Sequence, residues 1–228
     1  MKKLSFGFDN ERDHYTFNWS AEQNKEVLEK IVHNPFFATW ESMAIAATPM
    51  KKTPFDFGDI LKAVLSEKKD VCIWGFGGGN QFLFNRNNNF YHVFLSLDRS
   101  YLEKDNLSKF KEYMINIALN TPRFSGMSSS MGSEYYDIQK KHNITQEKSM
   151  FSYIPWLNVL SPLRYKDYYE KEDLLKAPYY KVEEIRPNII LIQAYKDPFD
   201  LENEESLNYL RKGVEYLNKN IIFLKEKK

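Results

Sequence analysis

The chain has 228 residues, enough for one large domain or two small ones with a sizeable core. Its 32 basic and 31 acidic residues leave a net charge of +1, so no bulk field draws it to nucleic acid or marks it as a DNA mimic. The single cysteine, Cys72, excludes an intrachain disulfide, and no apolar run reaches the length of a membrane span.

Lys2 and Lys3 open the chain as in a signal peptide, but Asp9, Glu11 and Asp13 arrive before any apolar stretch. A cytoplasmic protein is expected, and the sequon at Asn143 then carries no meaning. Leu4-Phe6-Phe8 and Tyr15-Phe17-Trp19 alternate with polar residues and predict half-buried strands. Ser20 and Gln23 form a capping box for a helix whose apolar stripe is Val27, Leu28, Ile31 and Val32, ended by Asn34-Pro35. Residues 36–47, around Trp40, read as a short helix or a buried loop. Asp56 is the expected N-cap of a helix with Ile60, Leu61, Val64 and Leu65 inward.

Residues 71–97 predict a β-meander with a turn at Asn85–Asn89, where asparagine tolerates left-handed backbone. Asn106 is placed as cap of a helix with Leu107, Phe110, Met114 and Ile117 on one face, stopped by Thr121-Pro122. Residues 123–150 are polar, with serine and glycine, and carry no period that assigns them; 151–160 are aromatic and apolar around Pro155-Trp156-Leu157. Tyr168–Lys176 reads as a short helix. Tyr180–Ile185 and Asn188–Tyr195 read as a strand pair, the second nearly all apolar and so central. Asn203 caps a last helix with Leu207, Leu210, Val214 and Leu217 inward. Short turns between clustered strands predict α+β, a mainly antiparallel sheet with helices packed against it, as one domain over 1–228.

Motifs for chemistry are sparse. Gly75–Gly79 falls short of a dinucleotide loop: Asn80 stands where the third glycine belongs, and Gln81-Phe82-Leu83-Phe84 is a strand pattern that supplies no helix N-terminus for phosphate. A bulge or flexible strand connection is the expectation. Gly126-Met127-Ser128-Ser129-Ser130 lacks the second glycine of a nucleophile elbow and reads as a solvated loop. His14, His33, His92 and His142 have no partner at metal-ligand spacing, and His14 and His92 fall at solvent-facing strand phases. Glu183 and Glu184 are adjacent on a strand and point to opposite faces. Cys72, inside Val71-Cys72-Ile73-Trp74, is expected to be a buried, inert thiol. Neither metal nor cofactor is expected, and no catalytic residues are assigned.

Charge is unevenly spread. From Asp167 to Glu205 eleven acidic residues face five basic ones, a balance of −6, while from Ser206 to Lys228 six basic residues face two acidic, a balance of +4. The dense part is 197–205. Acids before and within the first turn of a helix complement its dipole. They also offer a negative surface to a basic partner.

Several segments, taken in order, resemble the immunity protein 52 family of bacterial polymorphic-toxin systems. They are Phe17-Asn18-Trp19 with the helix after it, Asn34-Pro35-Phe36-Phe37-Ala38-Thr39-Trp40, Phe82-Leu83-Phe84-Asn85, Pro155-Trp156-Leu157-Asn158-Val159-Leu160, and Asp197-Pro198-Phe199-Asp200. Pro155 and Val159 stand where that family has Gly and Tyr. The resemblance implies a non-enzymatic, cytoplasmic protein of a type VI secretion setting. It would neutralise a cognate secreted toxin, often a nuclease of restriction-endonuclease type, by binding it. No nucleic-acid or membrane partner is expected. Under that reading Asp197, Asp200, Glu202 and Glu205 are the candidate partner-binding residues. A protein-binding adaptor outside toxin systems and an enzyme with a dispersed site are the alternative readings.

Overall fold

The computed structural model describes residues 3–10, 21–35, 40–45, 51–65, 71–87, 90–102, 104–121, 124–131, 134–144 and 153–222. The chain forms two compact units, 3–124 and 125–228. Every strand register within them is antiparallel, and helices accompany both sets of strands, so the predicted α+β class holds. Among the described residues no helix is long and apolar enough to cross a membrane.

The first unit orders its strands β3 (Thr53–Pro54), β2 (Ser42–Ile45), β4 (Val71–Gly77), β5 (Asn80–Asn87), β6 (Phe90–Asp98) and β1 (Lys3–Asn10). Its helices are α1 (Ala21–Val32), α2 (Phe57–Leu65) and α3 (Lys104–Leu119). Alternation decides which face of the sheet is core: Leu4 and Phe6, Ile73, Phe82 and Phe84, and Val93, Leu95 and Leu97 are all buried. Phe110 of α3 meets Phe6 edge to face, ring centroids 5.0 Å apart. Asp56 caps α2 as predicted, its carboxylate accepting from the Asp59 amide at 3.1 Å. Ile60 and Val64 are buried, but Leu65 is 45% exposed, so the inward stripe is narrower than the sequence predicts.

Two further expectations in this unit are corrected. Residues 42–45 are a strand, not a helix or loop, because Met43 and Ala44 are buried within the ladder with Gly75 and Trp74 of β4. The third helix begins at Lys104, which places Asn106 inside its first turn. The glycine run turns out to be a hairpin: Gly78 and Gly79 adopt φ of 56° and 81°, the double left-handed geometry that joins twisted antiparallel strands. The strand expected at 15–19, the capping residue Ser20 and the turn residues Asn88 and Asn89 lie outside the described residues.

In the second unit the strand order is β7 (Phe124–Ser130), β8 (Leu157–Leu160), β10 (Ile189–Gln193) and β9 (Lys181–Arg186). Its helices are α4 (Glu134–Lys141), α5 (Pro162–Tyr165), α6 (Lys171–Leu175) and α7 (Glu204–Lys219). The serine-rich stretch predicted as a solvated loop is β7. Met127 and Ser129 are buried, and Gly126 to Ser129 pair with Leu160 to Leu157. The predicted hairpin at Pro187-Asn188 forms, with Asn188 at φ 61°, and β10 is central between β8 and β9. The stripe Leu207, Leu210, Val214 and Leu217 of α7 is buried as predicted, together with Gly213.

Candidate functional site

The acidic segment follows the central strand of the second unit. After Gln193 the backbone is pinned from below. The Trp156 indole donates to the Tyr195 carbonyl at 2.9 Å, the Ala194 amide to the Trp156 carbonyl at 2.8 Å, and the Gln193 side chain to the carbonyls of Tyr195 and Lys196 at 3.2 and 2.9 Å. Trp156 and Tyr195 are both essentially inaccessible. Burial, with the nearby Asp197 carboxylate adding to it, pushes the Tyr195 phenol well above its ordinary pKa. Trp156 thus fixes Ala194 and Tyr195, the residues that lead into the acidic turn.

From this anchor the chain makes a tight turn. The Asp197 carboxylate accepts from the Phe199 amide at 2.8 Å, and the Asp200 amide donates to the Asp197 carbonyl at 3.2 Å. Asn203 then caps α7, its side chain accepting from the Glu205 amide at 2.8 Å. Pro198, Phe199 and Leu201 point into the core while Asp200, Glu202, Glu204 and Glu205 stay exposed. Apolar anchors therefore hold an acidic rim in one orientation. The four predicted residues are assembled in one turn and the start of one helix, and their roles differ. Asp197, partly buried, spends one oxygen on the backbone. Glu202 pairs with Lys141 of α4 at 3.2 Å, and Glu204 pairs with Arg211 at 2.8 Å. Asp200 and Glu205 form no ion pair among the described residues and are the free charges of the rim. The helix is capped by Asn203, while Asp200 and Glu205 carry exposed charge.

Sequence reasoning missed Lys141, which comes 61 residues before its partner. It also missed an aromatic group at α4, where Tyr136 is 44% exposed. The Tyr136 ring centroid lies 3.9 Å from that of Tyr135 and 5.2 Å from that of Tyr153. Helical spacing of Tyr135, Ile138 and Gln139 is the signal that could have found α4. Its buried face is locked by Gln139, which donates to the Ile154 carbonyl at 2.7 Å and accepts from the Ile154 amide at 3.0 Å.

The remaining chemical candidates do not assemble. Ser128, the residue at the nucleophile position of that stretch, lies mid-strand in β7 paired with Asn158, so no strained strand-to-helix turn forms there. Cys72 is half-buried rather than buried, on the strand face it shares with Trp74, and burial raises its thiol pKa away from the reactive thiolate. His33 sits edge to face on Phe57 and His92 lies alongside Phe94, while His14 falls outside the described residues. Among the described residues no three His, Cys, Asp or Glu side chains are grouped to hold a metal ion.

No protein-family model matches the sequence, and no curated protein does. Among solved structures the chain is similar to the Pseudomonas aeruginosa T6SS protein PA0821, with a TM-score of 0.55 and 11% sequence identity. The match covers 94% of this chain and 73% of that one. At this identity the likeness is one of fold.

Proposed function

We propose that this protein is an immunity protein associated with type VI secretion, which binds and neutralises a cognate toxin in the cytoplasm and carries out no catalysis of its own. The observation that carries the reading is the fold likeness, over 94% of the chain, to a T6SS protein. The ordered segments that resemble the immunity protein 52 family add to it, and so does the acidic rim of the second unit.

A nuclease toxin gathers phosphate in a positive cleft. An inhibitor that plugs or flanks that cleft gains association rate from a fixed negative surface. Asp200, Glu202 and Glu205 supply that surface, with Asp197 shaping the turn beneath them. A tight complex of this kind buries roughly 1,200–2,000 Å² in total.

The test is co-expression with the product of the adjacent gene. Co-purification as a stable complex, with rescue of growth from that product's toxicity, is the expected result. A neighbouring toxin that neither binds nor is neutralised would overturn the proposal. The rim is tested separately with the isosteric pair Asp200→Asn and Glu202→Gln. The on-rate should fall and its salt dependence flatten while stability barely changes, since exposed ion pairs contribute only about 0–1 kcal/mol. An unchanged on-rate with lowered stability would leave the segment as a helix cap alone.

A further inference from the structure

We draw no further inference here: the strongest candidate, the half-exposed face of the first unit's sheet on which Trp74, Leu83 and Phe94 lie in cross-strand register beside Phe76, is an apolar surface for which nothing in the structure shows what covers it.

Discussion

Replacing Gly213 by alanine inverts a familiar rule. In an exposed helix interior the change should stabilise by about 0.8–1 kcal/mol, because glycine loses more backbone entropy on folding. Gly213 lies in the middle of α7, but it is buried, and a Cβ built there falls inside the van der Waals envelope of the Tyr179 ring, against Cε1, Cδ1 and Cζ. That ring is itself buried and cannot swing into solvent without exposing its apolar surface. Overpacking of this kind costs about 1–3 kcal/mol. Set against the helix gain, a net loss of up to about 2 kcal/mol is expected, a Tm drop of up to about 8 °C at this chain length. Urea unfolding followed by circular dichroism should show a lower midpoint at unchanged slope. The decisive comparison is the same substitution in a Tyr179→Ala background, where the ring is gone and alanine should stabilise. Neighbours in contact couple by about 0.5–3 kcal/mol in such a cycle. A Gly213→Ala protein that is more stable than the parent, or an effect equal in the two backgrounds, refutes the packing argument. The consequence reaches the candidate site, because α7 carries Asn203 and the acidic first turn at its start.

Trp156→Ala should destabilise by about 3–5 kcal/mol, and it leaves the Tyr195 carbonyl with only the longer bond from the Gln193 side chain; a loss below about 1 kcal/mol in chemical denaturation would contradict that role. Gln139→Ala leaves the amide and carbonyl of Ile154 without their side-chain partner, at about 1–3 kcal/mol for each buried group, whereas Lys141→Ala, at an exposed pair, should move the midpoint little. Asp98 accepts from the Ser100 amide at 2.9 Å and hydroxyl at 2.8 Å, which holds its carboxyl below the usual range. A lowered folded pKa stabilises fully above the unfolded value of about 3.9 and is lost as pH falls through the folded one. Asp98→Asn should therefore flatten the acid limb of a stability–pH curve, and an identical acid limb in both proteins would rule this out.

The signals that proved readable act over a few residues. Asp56 and Asn203 cap helices because a carboxylate or amide oxygen reaches an amide two or three positions on. The hydrophobic stripe of α7 follows from 3.6-residue periodicity, and the β9–β10 hairpin from Pro187-Asn188 between an alternating segment and an apolar run. The outward aim of Asp200 and Glu202 is likewise local: Phe199 and Leu201 beside them are drawn inward by the hydrophobic effect. Other features depend on partners far along the chain. The serines of β7 have no apolar period and become a strand because β8, some thirty residues later, satisfies their backbone groups. Residues 42–45 are a strand for the same reason, with β4 as the partner. Gly213 reads as a weak point in a helix until Tyr179 is placed against it. Which acids stay unpaired was equally hidden, since Lys141 reaches Glu202 only after α4 and the acidic turn are folded side by side. Local propensity and periodicity are written in neighbouring residues, whereas ladder pairing, close packing and ion pairing are settled by whatever the folded chain brings within a few ångströms.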